Sequence, residues 1–210
     1  MIKVMIADDH AIVRQGLKQI LSETSDICVT GEAASGFQAM SVIRQQDFDV
    51  ILLDISLPDR NGLDVLKQIK KEQPDLAILM LSMHSESEFA IRALRAGAVG
   101  YLNKQSAPAQ LVTAIRQVAS GQKYITPELA MELANAITSD VDRPLHATLS
   151  DREFQTLCLI ASGKGLSEIS EEMCLSPKTV SVYRSRLMEK LQLSNNSELI
   201  RYALLHHLVD

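Results

Sequence analysis

Short apolar runs alternate with stretches of helical period from residue 1 to about 124. The runs are Ile2 to Ala7, Cys28 to Glu32, Val50 to Leu53, Ala77 to Leu81 and Gly100 to Leu102, most of them too apolar to keep a wet face. This predicts central parallel strands covered on both sides by helices. Between them, Val13, Leu17, Ile20 and Leu21 fall at i, i+4, i+7 and i+8. Leu63, Leu66 and Ile69 repeat at helical spacing, as do Leu111, Ile115 and Val118, so each set predicts an amphipathic helix. Five such units in about 120 residues predict an α/β domain, a doubly wound, five-stranded parallel sheet of flavodoxin-like strand order.

Beyond residue 124 the pattern changes. Ile125 to Thr138 is apolar at helical spacing through Leu129, Leu133 and Ile137, and it opens on Thr126-Pro127-Glu128, a cap followed by proline at the first helical position. It predicts a linker helix, and Ser139 to Pro144 a short polar tether. The remainder has no strand pattern. Ser150 and Glu153 form a capping box before the face Phe154, Leu157, Cys158 and Ala161; Gly163 and Gly165 then break the chain, and Leu166 to Met173 forms a short helix carrying Ile169. Ser176-Pro177 starts another, with Val180, Leu187 and Leu191 as its apolar stripe and Tyr183 and Met188 extending it. Two helices joined by a tight turn, the second well capped, predict a helix-turn-helix. The expected organisation is therefore a first domain over 1–124, linker over 125–145 and an all-α domain over 146–210.

Composition narrows the function. No apolar stretch approaches the roughly 20 residues of a bilayer span and no signal-peptide pattern precedes the first strand, so the protein is expected in the cytoplasm, away from membranes. Cys28, Cys158 and Cys174 show no metal or disulfide spacing and are expected to be buried thiols. The net charge of -5 opposes nucleic-acid binding, and no region is basic: residues 1–124 hold 13 Lys+Arg against 14 Asp+Glu, and 146–210 hold 7 against 8. From 177 to 191, however, Lys178, Arg184, Arg186 and Lys190 face only Glu189, a local +3. Short polar residues with flanking cations are what a helix entering the major groove of double-stranded DNA needs.

Ligands of parallel α/β sheets bind beyond the carboxyl ends of the strands. Asp8 and Asp9 follow the first strand and Asp54 the third. Three crowded anions repel one another unless a hard divalent cation sits among them, and magnesium suits few carboxylates and several waters. The fourth strand ends at Ser82 and the fifth leads to Lys104. A carboxylate nucleophile, metal, hydroxyl and ammonium together make a phosphoryl acceptor, with Asp54 as the accepting group. Pro58 and Gly62 shape the tight loop beside it.

On these motifs the chain resembles two-component response regulators of the NarL/FixJ family: residues 1 to about 124 resemble a receiver domain and 148 to 205 a four-helix LuxR-type helix-turn-helix domain. The resemblance implies that Asp54 is phosphorylated by a sensor histidine kinase in the bacterial cytoplasm. It implies that Asp8, Asp9, Asp54 and the backbone carbonyl of Ser56 hold Mg2+, and that Ser82, Tyr101 and Lys104 serve as switch and phosphate-binding residues. Along Pro177 to Arg186, it implies that Ser181, Val182 and Ser185 face bases while Lys178, Thr179 and Arg184 contact phosphates. It also implies a homodimer on promoter sites when phosphorylated, and a kinase read through Ala11, Arg14, Gln15 and Lys18.

Two other classes fit the residues less well. An aspartate-nucleophile phosphatase needs a second acid two residues after the nucleophile, where Ser56 stands, and a flavin-binding domain needs a glycine- or hydroxyl-rich loop where Asp8 and Asp9 stand. A pure interaction module leaves the acidic pocket unexplained. The expectation is a regulator that catalyses only its own phosphoryl transfer and hydrolysis, not an enzyme.

Overall fold

The computed structural model describes residues 1–83, 87–127, 129–131, 133, 144–206 and 208–209. The chain divides into two compact units, Met1–Met131 and Glu132–Asp210.

The first unit runs β1 (Ile2–Ala7), α1 (Ala11–Ser22), β2 (Ile27–Ala33), α2 (Gly36–Ile43), β3 (Val50–Asp54), α3 (Gly62–Glu72), β4 (Ala77–Ser82), α4 (Ser87–Arg95), β5 (Gly100–Asn103) and α5 (Pro108–Ala119). All strand pairs are parallel, in the order β2-β1-β3-β4-β5. This is the doubly wound, flavodoxin-like order that the alternating pattern predicts. β3, β4 and β5 each extend one residue past their apolar runs, to Asp54, Ser82 and Asn103. The cause is backbone pairing: Asp54 stays in register with Leu81 and Ser82 with Asn103, whatever their side chains.

The strands are dry on both faces. Val4, Ile6, Val50, Leu52, Leu79 and Leu81 form one core with Leu21 of α1 and Leu111, Ile115 and Val118 of α5. The alternate residues Met5, Ile51, Leu53, Ile78 and Met80, which point the other way, are equally buried. Met40 of α2, Leu66 and Ile69 of α3 and Phe89 of α4 are buried too. Each such side chain contributes about 1.5–3 kcal/mol, so the strand ends sit on a rigid platform.

The second unit holds a 3-10 turn (Leu145–Thr148) and helices α6 (Asp151–Ala161), α7 (Leu166–Glu172), α8 (Pro177–Leu191) and α9 (Asn196–Leu205). The predicted capping box is present: Ser150 Oγ accepts the Glu153 N–H at 3.4 Å and Glu153 Oε2 the Ser150 N–H at 2.8 Å. Gly163, at φ 85°, turns the chain out of α6. Ser176 Oγ accepts the Thr179 N–H at 3.1 Å, with Pro177 opening α8. Phe154, Leu157, Ile169, Val180, Leu187, Leu199 and Ala203 are fully buried, drawing all four helices onto one core.

Of the predicted linker helix the start is seen. Thr126 Oγ1 accepts the Leu129 N–H at 3.3 Å, and Pro127 and Leu129 to Met131 are helical. Residues 134–143, with the helix's end and most of the tether, lie outside the described residues. The cysteine expectation needs correction: Cys158 is buried, but Cys28 is half-buried and Cys174 exposed. Cys28 lies on β2, an edge strand by the sheet order, and Cys174 occupies the sharp turn before α8 at φ 49°. Among the described residues, no helix is long and apolar enough to cross a membrane.

Candidate functional site

The strand order reverses between β1 and β3, which opens a crevice beyond their carboxyl ends. Asp8 leaves β1 into it and Asp54 ends β3, while Ser82 ends β4 and Lys104 follows β5. Asp8, Asp54 and Ser82 are at most 1% exposed. Lys104 Nζ lies 2.7 Å from both Asp8 Oδ2 and Asp54 Oδ2. Asp9 stands at the rim, its side chain 33% exposed.

The electrostatics are those of a charged group held in a dry place. Burial drives the Asp54 carboxyl up to about 6, opposed by Lys104 and reinforced by Asp8. Burial works against the Lys104 ammonium, yet the two carboxylates outweigh it and hold the group above its ordinary range. Three carboxylates thus meet one ammonium. Asp8 Oδ2 and Asp54 Oδ2, though ion-paired, are buried without a well-directed hydrogen bond. Paired negative oxygens short of donors fit a small divalent cation.

Short backbone links fix these groups. The Asp8 N–H donates to Ala33 O at 3.0 Å, the Ile55 N–H to Leu81 O at 3.1 Å and the Lys104 N–H to Ser82 O at 2.7 Å. The loop after Asp54 folds back on itself through a bridge between Ser56 and Asn61, and the Gly62 N–H donates to Ile55 O at 2.7 Å. The Ser56 N–H also bonds the Asp54 carboxylate. A Cβ on Gly62 would stand 2.0 Å from Asp54 O, so only glycine fits against the strand end. Asp59, in the same loop, accepts the Gly36 and Phe37 N–H groups at 2.7 Å each, docking the loop on the start of α2. Burial opposes its charge, but these backbone bonds hold its carboxyl below the usual range.

Asp8, Asp9, Asp54 and Lys104 are therefore brought together, with Ser82 tied to Lys104 through the backbone. Tyr101 is buried in β5, in register with Met80. The α1 residues divide: Ala11 and Gln15 are exposed, whereas Arg14 Nη1 donates to the carbonyls of Asp8 at 2.6 Å and Asp9 at 3.2 Å, and Lys18 Nζ pairs with Glu32 at 2.6 Å. Sequence reasoning missed His10. Its Nδ1 lies 2.7 Å from Asp9 Oδ1 and 3.4 Å from Asp8 Oδ1. The signal was its place beside the acid pair, masked by its role in entering α1.

In the second unit, Val180, Leu187, Met188 and Leu191 bury one side of α8. Lys178, Ser181, Val182, Ser185 and Arg186 are exposed on the other, with Thr179 and Arg184 half-buried. Thr179 Oγ1 shares a 2.8 Å hydrogen bond with Ser176 Oγ, Ser185 Oγ donates to Ser181 O at 3.0 Å, and Arg184 Nε donates to Asn196 Oδ1 at 2.9 Å. Lys190 departs from the expected positive face: its Nζ donates to the buried Glu153 Oε2 at 2.6 Å. Burial raises the Glu153 carboxyl, but Lys190 and Ser150 outweigh it and hold the group low. The positive face is thus carried by Lys178, Arg184 and Arg186.

Comparison with known proteins matches both units. Residues 4–116 match the response regulator receiver domain, and residues 147–203 match the luxR family of bacterial regulatory proteins. The response regulator UvrY of Escherichia coli (strain K12) is 40% identical over 211 residues, covering 100% of this chain and 97% of that protein. The response regulator GacA of Pseudomonas aeruginosa is 37% identical, covering 100% and 99%. Among solved structures, RcsB from Salmonella enterica serovar Typhimurium, bound to promoter P1flhDC with the phosphomimetic BeF3-, is 28% identical with a TM-score of 0.66, covering 96% of this chain and 97% of that one.

Proposed function

The chain belongs to the two-component response regulators of the NarL/FixJ family, a receiver domain joined to a LuxR-type DNA-binding domain, and we propose that Asp54 is its phosphoacceptor and the exposed side of α8 its promoter-reading surface. One observation carries the reading: a buried lysine bridges two buried carboxylates, one from the end of β3 and one just past β1. That arrangement supplies a nucleophile with a fixed positive charge beside it, and the family is one of transcription regulators rather than enzymes.

In this reading, a sensor histidine kinase donates the phosphoryl group from its phosphohistidine. An Asp54 carboxylate oxygen forms the new O–P bond as the N–P bond breaks, and the electron pair stays on the departing imidazole nitrogen. Lys104 neutralises the transferred oxygens and the Ser82 hydroxyl donates to one of them. Asp8, Asp9, Asp54 and the Ser56 carbonyl are the residues that would hold Mg2+, which supplies charge neutralisation at the phosphoryl oxygens when bound. Ser82 and the buried Tyr101 lie on adjacent strands, and their shift repacks the α4–β5 surface. A homodimer then occupies paired half-sites in double-stranded DNA. Ser181, Val182 and Ser185 face the bases and Lys178, Thr179 and Arg184 the phosphates. The promoter complex of RcsB supports this docking. The setting is the bacterial cytoplasm, where kinase and promoter meet.

The test treats wild type and Asp54→Asn with acetyl phosphate and Mg2+, then measures intact mass, oligomeric state and promoter affinity. Wild type is expected to gain one phosphoryl group, dimerise and bind about 10²-fold more tightly or better, and Asp54→Asn to do none of these. Identical affinity and oligomeric state for the two proteins would refute the proposal.

A further inference from the structure

His10 sits at the N-cap of α1, yet its side chain makes no cap hydrogen bond. Instead the ring turns back over the acid pair, while the His10 backbone N–H donates to Asp8 Oδ1 at 2.8 Å. Its ligand nitrogen and one carboxylate oxygen from each of Asp8, Asp9 and Asp54 all lie within 4.8 Å of one another. An ion with bonds of about 2.1 Å holds opposite donors about 4.2 Å and adjacent ones about 3.0 Å apart, so side-chain movements of up to about 1 Å bring all four onto one ion. Two independent features point the same way. Asp8 Oδ2 and Asp54 Oδ2 are buried with the single Lys104 ammonium shared between them and no hydrogen bond besides it among the described residues, and the imidazole, 63% exposed, caps the pocket from the solvent side with its Nδ1 2.7 Å from Asp9 Oδ1.

We propose that His10 is a metal ligand of this pocket, so that the site takes imidazole-preferring divalent ions of the Fe2+ to Zn2+ series as well as the oxygen-seeking Mg2+. The chemistry is that of donor type. Carboxylates, carbonyls and water alone suit magnesium, whereas a nitrogen donor raises affinity for later first-row ions far more than for magnesium. The inference rests on the reading of Asp8, Asp9 and Asp54 as a metal site and adds a selectivity to it.

The test titrates the full chain with Co2+ and with Mg2+ by calorimetry and follows the visible absorption of bound Co2+. It compares wild type, His10→Ala, His10→Gln and Asp9→Asn. Removing an outer-sphere partner of a metal already costs about 10- to 100-fold in affinity. His10→Ala and His10→Gln are therefore expected to lower the Co2+/Mg2+ affinity ratio at least tenfold and to shift the Co2+ absorption band. An unchanged ratio and band in both His10 variants, with both ions still bound and weakened by Asp9→Asn, overturns the role of His10 alone. Failure of wild type to bind either ion overturns the metal site itself.

Discussion

Gly62 ties the loop after β3 to the proposed phosphoacceptor, and replacing it with alanine tests that coupling directly. The added Cβ would lie 2.0 Å from the Asp54 carbonyl oxygen and 2.8 Å from Ile55 Cα, both backbone atoms that no rotamer change can move. Restoring even the closest tolerable contact demands a shift of about 1 Å at the strand end or in the loop. Overpacking of this kind costs about 1–3 kcal/mol, a fall in Tm of roughly 4–12 °C for a domain near this size. The functional cost is larger, because misplacing a reacting group by about 1 Å slows reaction about 100-fold. Gly16→Ala is the matched control: nothing lies within 4 Å of its Cβ in mid-α1, so it should gain about 0.5–1 kcal/mol. Thermal unfolding and the rate of phosphorylation by acetyl phosphate, followed on phosphate-affinity gels, read both effects. A Gly62→Ala protein phosphorylated at the wild-type rate would refute the idea that this glycine holds Asp54 in place.

Further expectations follow from charges that the fold has committed. Lys104→Met leaves Asp8 and Asp54 facing each other in a dry pocket, a loss of about 3–5 kcal/mol at neutral pH. Asp54 is already raised to about 6 with the lysine present, so a raised carboxyl destabilises as pH climbs through it, and the deficit should shrink on denaturant titration at pH 5. Asp59→Asn gives up one of two backbone acceptors at the start of α2, about 1 kcal/mol at pH 7. Because its folded carboxyl is held low, that contribution is present above the ordinary carboxylate range and disappears as pH falls through the lowered value, so variant and wild type should converge only in acid below the ordinary carboxylate range. Glu153→Gln weakens both the cap of α6 and the bond from Lys190. About 1–2 kcal/mol is expected, measured as a lower unfolding midpoint of the second unit with phosphorylation of Asp54 unaffected.

The sheet was legible because strands buried on both faces leave no polar positions to blur their ends, and Asp8, Asp54, Ser82 and Lys104 could be placed from the topology alone. Less local facts were not. That Asp59 docks on α2 depends on a pairing across 22 residues or more, and nothing in the immediate pattern distinguishes it from an ordinary turn aspartate. Arg14, placed by resemblance among the kinase-reading residues of α1, donates to the carbonyls of the acid pair, because a long side chain on α1 reaches back over the loop that precedes it. Lys190 belongs to the positive face by local pattern alone for a related reason: its partner Glu153 lies 37 residues earlier, in a position that the pattern explains as a cap. His10 is not legible from the sequence, because residue type says little about a ring whose partners are set by the turn that carries it.

The helix α8 keeps its two duties on separate residues. Val180, Leu187, Met188 and Leu191 anchor it, while Ser181, Val182, Ser185 and Arg186 stand in solvent with no part in the core. Exposed substitutions of this kind usually change stability by no more than about 0.5 kcal/mol. Point changes there can therefore accumulate one at a time, each yielding a folded protein, and a lineage can wander among target sequences without crossing an unfolded intermediate. The receiver pocket allows no such drift, since every residue in it answers to another's charge.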